Sequence, residues 1–129
     1  MGAPDRPVKQ VIVVRRDLGM SVGKTCSQVA HGSMAFLSSA VRCGTNLTEM
    51  HESVRLWING KFTKIVVGVD DEESLRRVHW NAIQAGITCH LIEDDGTTAF
   101  RGVKTATVVA VGPWWSPDID AITGGLKLL

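Results

Sequence analysis

Apolar positions along this chain fall into two alternating patterns, short β-branched runs and longer stretches of helical period. Val11–Val14 is a continuous β-branched run, which predicts a strand covered on both faces. Gly19 and Gly23 punctuate the loop that follows, and helical spacing runs from Ser21 to Ala40. Within it, Val22, Cys26, Val29 or Ala30, Ser33 and Leu37 form the expected apolar face, while Lys24, Gln28 and His31 form a polar stripe. Leu47, Met50, Val54 and Trp57 predict a second helix, ended by the turn signal Asn59-Gly60. Thr63–Val69 reads as a second strand. The acidic opening Asp70–Glu73 suits a helix N-terminus, and that helix runs to Ala85 with Gly86 as its stop. Leu75, Val78, Ala82 and Ile83 mark its core face. A third strand over Thr88–Ile92, a polar loop from Glu93 to Gly102 and a last strand over Thr107–Val111 complete the sheet. The closing helix takes Ser116 as N-cap, Pro117 at its first position and Gly124 as its end.

The order β-α-α-β-α-β-β-α predicts a three-layer α/β/α sandwich on a small four-stranded mixed sheet. Helical crossovers favour parallel pairing among the first three strands, and the short loop before the fourth makes it antiparallel to its predecessor. Residues 9–129 read as one domain behind a flexible arm over residues 1–8. The Lys24–Gln28–His31 stripe lies just past the carboxyl end of the first strand, where open α/β sheets place their ligands.

Composition narrows the class without choosing a function. Of 129 residues, 44% are hydrophobic and 21% charged, ordinary for a soluble globular domain. A net charge of +1 neither favours nor excludes nucleic acid, so any basic patch is local. Cys26, Cys43 and Cys89 form no C-x-x-C pair and read as reduced thiols. The start of the chain lacks the form of a signal peptide, and its apolar runs are far short of a bilayer span. A cytoplasmic protein with no membrane partner is expected.

Two motif readings of the opening loop fit poorly. Gly19-Met-Ser-Val-Gly23-Lys24-Thr25 resembles a nucleotide-binding P-loop, but it has three residues before the Gly-Lys pair where four are needed. Gly19-Met-Ser21-Val-Gly23 matches G-x-S-x-G, with Asp70 or Asp71 and His79 or His90 in the required order. Those histidines fall in a helix and in mid-strand, where packing roles are commoner.

A third reading rests on blocks spread through the chain. Lys9-Gln-Val-Ile-Val-Val-Arg-Arg-Asp17-Leu, then Met20, Gly23-Lys24, Gln28 and Ala30-His31, are followed in order by Asp71-Glu-Glu-Ser-Leu75 and Leu91-Ile-Glu-Asp94-Asp-Gly96-Thr-Thr98. Thr107-Val-Val-Ala-Val-Gly-Pro113 and Ile119–Leu128 close the set. Together they resemble the archaeal and eukaryotic type of peptidyl-tRNA hydrolase, a family also found in some bacteria and phages. The resemblance implies hydrolysis of the ester joining a peptide to the 3′-terminal ribose of tRNA, with no metal or organic cofactor. It implies peptidyl-tRNA as partner and assembly as a homodimer. By position it carries Lys24, Asp94, Thr98 and Thr107 over as catalytic residues. Arg15, Asp17, Gln28, His31, Gly96, Lys104 and Trp114 become expected substrate contacts, with Arg16, Lys61, Lys64 and Arg101 as further cations for the RNA backbone. Gly19 and Val22 stand where the family has positive charges, Asp95 replaces a small residue, and the loop to Thr107 is one residue longer, which makes Thr105 a rival for that role. These departures also keep open a non-catalytic RNA- or protein-binding module on the same fold.

Ester cleavage needs an oriented water, a base and a stabiliser of the tetrahedral oxyanion. General-base help contributes ~10²–10⁴-fold and one oxyanion donor about 10²–10³-fold. Asp94 is expected to orient or activate the water, the two threonines to position groups nearby, and Lys24 to meet developing negative charge or a 3′-terminal phosphate.

Overall fold

In the computed structural model, which describes residues 6–96 and 100–129, the opening β-branched run is buried throughout. It forms strand β1 (Val8–Arg15), and Ile12 and Val13 are fully buried because β1 lies inside the sheet. Helix α1 (Val22–Arg42), helix α2 (Glu52–Asn59), strand β2 (Lys64–Val69), helix α3 (Glu72–Gln84), strand β3 (Cys89–Asp94), strand β4 (Thr105–Trp115) and helix α4 (Ser116–Thr123) follow in order. The strands lie β2-β1-β4-β3. β1 and β2 pair in parallel with Val11 opposite Ile65, while β4 runs antiparallel to both β1 and β3. All of the first three strands therefore point the same way, but β3 does not pair with either of the others. The antiparallel β4 is inserted between β1 and β3, a placement that a short connecting loop does not foretell.

Alternate side chains of the sheet face two helical layers. Val11, Val13, Val67, Val69, Val109 and Val111 pack with Leu75, Val78 and Ala82 of α3 and Ile119 of α4. Ile12, Val14, Ile92, Val108 and Ala110 pack beneath α1. α2 lies beside α1, with Trp57 edge-on to Phe36 and its indole N–H donated to the Thr63 carbonyl at 2.7 Å.

The line along which α1 packs differs from the expected one. Val22 is 82% exposed and Cys26 is exposed, whereas Gln28, Gly32 and Ala35 are buried. Gly32 allows this approach, since a Cβ there would stand 3.1 Å from Val108 Cγ2. The stretch expected as one helix over Leu47–Trp57 is broken, with a 3-10 turn at Leu47–Glu49 ahead of α2. β3 runs on to Asp94, β4 extends from Thr105 to Trp115, and Ser116 is already helical with Trp115 as cap. At the start of the chain, Val8 is in the sheet and the Pro7 carbonyl accepts from Ser116 N–H at 2.9 Å, so the chain is held before residue 9.

The two edges of the sheet are treated differently. The last residues run along β2, with Gly68 N–H donated to the Lys127 carbonyl and Leu129 N–H to the Val66 carbonyl. Arg16 donates to the Leu128 carbonyl at 2.8 Å, and its guanidinium lies so close over Gly68 that an added Cβ would meet Cζ at 2.4 Å. β3 has no such cover among the described residues. None of the described helices is long and apolar enough to cross a membrane.

Candidate functional site

Three pieces of chain meet at the carboxyl end of β3: the first turns of α1, the Asp94 turn and the start of β4. Ser21 caps α1 by accepting the Lys24 N–H at 3.1 Å, and Lys24 and Gln28 are then one turn apart on the side facing β3. Ser21, though exposed, is therefore occupied as a helix cap, and Lys24 sits inside the helix rather than in a phosphate-wrapping loop.

The Lys24 Nζ lies 2.5 Å from Asp94 Oδ2, and the Gln28 amide donates to the same oxygen at 3.1 Å. The other oxygen, Oδ1, accepts the Gly96 N–H at 2.7 Å. Gly96 is a structural requirement of this turn: its φ is +86°, and a Cβ would fall 2.6 Å from backbone atoms of Gly102 and Val103. Lys24, the two N–H donors and the partial burial of the pair act on one carboxylate, whose side chain is 9% exposed. The lysine hydrogen bond and the Gly96 N–H outweigh desolvation and hold the Asp94 carboxyl below its ordinary range. Asp94 is an anion at neutral pH with little basicity to spare.

The fourth member comes from an irregularity in the sheet. The β3–β4 register slips between Ile92, opposite Val108, and Glu93, opposite Ala106, so Thr107 is the extra residue of a β-bulge. Ala106 packs on the α3 face, while both Thr107 and Val108 turn toward α1. Thr107 Oγ1 donates to Gln28 Oε1 at 2.5 Å, which leaves the Gln28 amide aimed at Asp94. Thr107 is completely buried. Thr105, its rival, instead donates to the Val103 carbonyl at 2.8 Å.

The other expected contacts divide. Arg15 makes a two-pronged pair with Asp17, at 3.0 and 2.7 Å, and donates to the Ala106 carbonyl at 3.1 Å, next to the bulge. Both side chains are occupied with each other: the fork lowers the Asp17 carboxyl and raises Arg15. His31 is exposed and does not join the Gln28–Asp94 set. Lys104 reaches Glu93 at 3.9 Å and is otherwise open to solvent. Trp114 is removed from the site altogether. It pairs with Lys9 at the opposite end of β1, stacks on His51 at 4.0 Å and donates to Asp118. Thr98 lies outside the described residues.

One neighbour escaped sequence reasoning. The Phe100 ring stands 5.7 Å from Lys24 Nζ, and Phe100 and Arg101 have φ of 59° and 51°. Left-handed backbone in two residues that are not glycine is a mark of sites held under constraint. Nothing in Ala99-Phe100-Arg101 announces it.

These observations define a class: a small three-layer α/β protein in which a lysine and an amide, the amide held in place by a buried threonine, converge on one anionic carboxylate at the end of a strand. Comparison with known proteins then gives the family. The family model described as "Peptidyl-tRNA hydrolase PTH2" matches residues 8–129. Among curated relatives, a peptidyl-tRNA hydrolase of Aeropyrum pernix is 38% identical over 120 residues, covering 93% of this chain and 94% of that protein. One of Sulfolobus acidocaldarius is 35% identical, covering 95% and 100%. A probable peptidyl-tRNA hydrolase 2 of Schizosaccharomyces pombe is 36% identical, covering 93% of this chain but 55% of that longer protein. A solved structure of an Agrobacterium protein of unknown function has the same fold, with a TM-score of 0.54 at 18% identity over 95% of this chain and 97% of that one. This chain belongs to the PTH2 family of peptidyl-tRNA hydrolases.

Proposed function

We propose that this chain hydrolyses the ester bond between a peptide, or an N-acyl-amino acid, and the 3′ end of tRNA, and that Lys24 and Asp94 are the side chains that meet the reacting atoms. The observation that carries the reading is the 2.5 Å contact of Lys24 with Asp94 at the carboxyl end of β3, within a family whose curated members bear that activity in their names.

An ionised carboxylate has about four acceptor positions, and Asp94 gives three of them to Lys24, Gln28 and Gly96. One position remains for a water. Because the Asp94 carboxyl is held down, its part is to orient that water and fix the lysine more than to take a proton with any force. Lys24 then faces the carbonyl oxygen, where a cation stabilises the charge of the tetrahedral intermediate by about 10²–10³-fold. Thr107, having no surface for a substrate, is a positioning residue acting through Gln28. Thr98 keeps its place in this reading by resemblance, as do Gly96, Lys104 and His31 as groups around the substrate. The Arg15–Asp17 fork supports the bulge rather than gripping phosphate.

The same reading makes residues 9–129 one catalytic domain working in the cytoplasm as a homodimer. Support for the dimer comes from the uncovered edge of β3. Trp80 and Ile83, 61% and 47% exposed, share a helix face with Arg76, whose guanidinium reaches Glu93 on that strand. Sedimentation of the wild type and of Trp80→Glu checks it, a dimer and a monomer being expected.

Purified protein incubated with N-acetyl-aminoacyl-tRNA in EDTA is expected to release free tRNA and the N-acetyl-amino acid. Tight binding of that tRNA with no release would favour a binding module instead.

A further inference from the structure

The far end of the sheet carries a second basic feature. An open groove of about 920 Å³ lies between α2 and the start of β1, lined by Arg6, Lys9, Glu52, Arg55, Lys61 and Thr63 among others. Of the ten cations elsewhere, five have a carboxylate partner among the described residues: Lys24 with Asp94, Arg15 with Asp17, Arg76 with Glu72, Arg77 with Glu73 and Lys104 with Glu93. In the groove, Lys9 alone has a carboxylate partner, Asp120 at 2.5 Å. Arg55 and Lys61 have no carboxylate partner among the described residues, and the Arg6 guanidinium rests over the Trp115 ring at 3.7 Å. Against these four cations stand Glu52 in the wall and Asp120 at the rim. A chain of near-neutral net charge thus holds an excess of positive charge in one place.

We propose that this groove binds the phosphodiester backbone of RNA, and specifically the body of the tRNA whose 3′ end lies at Lys24 and Asp94, so that it rests on the hydrolase reading above. β1 separates the two places, and seven steps at about 3.3 Å put them roughly 23 Å apart. A ligand engaging both is long and carries charge at intervals, as a nucleic acid does. The open, uncapped form of the groove suits a strand passing through it. Arg6 on its tryptophan is held flat for phosphate, and no ion pair of Arg55 or Lys61 has to break when RNA replaces water.

The test uses the intact chain, with Arg55→Glu and Lys61→Glu singly and together, and Arg77→Glu as an equal charge reversal elsewhere. Deacylated tRNA binding is followed by fluorescence anisotropy across a KCl series, with polyglutamate as competitor. Hydrolysis is compared for N-acetyl-aminoacyl-tRNA and for the same ester on a CCA trinucleotide. The double variant is expected to bind tRNA about tenfold or more weakly, and to lower the salt slope by about two. Its KM for the tRNA ester rises while kcat and the trinucleotide rate hold. Unchanged affinity, an equal loss in Arg77→Glu, an equal loss on the trinucleotide, or displacement of tRNA by polyglutamate at matched charge would each overturn the proposal. If the wild type cleaves neither ester but loses tRNA affinity through Arg55 and Lys61, the groove stands and the hydrolase reading falls.

Discussion

The hydroxyl of Thr107 donates to the side-chain carbonyl of Gln28 at 2.5 Å, from a position that solvent cannot reach. That bond decides which way the Gln28 amide points, and the amide in turn points at Asp94. Thr107→Val keeps the shape and removes the donor. It leaves the buried Gln28 oxygen unpaired, at a cost of about 1–3 kcal/mol. A fall in kcat with KM little changed is expected, with recovery in Thr107→Ser. A rise in KM alone would make Thr107 a substrate contact.

Asp94→Asn is nearly isosteric and leaves Lys24 facing a neutral amide. A loss of about 10²-fold or more in kcat/KM is expected on the scale of general-base and charge-stabilising effects. Circular dichroism should show a folded protein. Full activity in a folded Asp94→Asn protein removes the carboxylate from the reaction.

Gly96→Ala places a methyl among backbone atoms at 2.6 Å and forces a left-handed φ on a residue that resists it. The turn that gives Asp94 its N–H donor has to open, so thermal stability and turnover fall together. Gly23→Ala, with open space at its Cβ and inside a helix, is the matched control and should leave both nearly intact.

Acid acts on this protein in two windows. Burial lowers the His90 imidazole below its ordinary value of about 6.5, and its Nδ1 has no hydrogen-bond partner among the described residues. The unfolded chain therefore takes up that proton first, and stability begins to fall as pH drops below about 6.5. Asp94 and Asp17 are held below the carboxylate range, so their contribution persists until pH falls below about 3.9. Chemical denaturation at pH 7.5 and 5.5 should show His90→Leu gaining stability relative to wild type at the lower pH. Turnover set by Asp94 should have no acid limb above pH 5.

Much of this fold was legible because it is written in residue type. The β-branched run at Val11–Val14 has its place between two layers, and the acidic opening Asp70–Glu73 announces α3, where the structure finds Asp71 capping the Ser74 N–H. Lys24 and Asp94 were legible only through the ordered blocks of the family, since 70 residues separate them and no local pattern joins them. What hid the rest is cooperation between positions. Gln28 reads as a surface residue, yet it is buried because Thr107 and Asp94 satisfy its amide. Gly32 reads as a flaw in a helix, yet it is where α1 comes closest to Val108. The bulge at Thr107 exists only when two strands are aligned. Trp114 looked adjacent to the site because β4 seemed to end before it, whereas the strand carries it to the far end of the sheet.

The strap of residues 127–129 along β2, fastened by Arg16, has a consequence for assembly. A sheet with two bare flanks can add copies without limit and grow into a ribbon. Here one flank is sealed from within, so copies that joined through the other would meet face to face about a two-fold axis, and growth would stop at a pair.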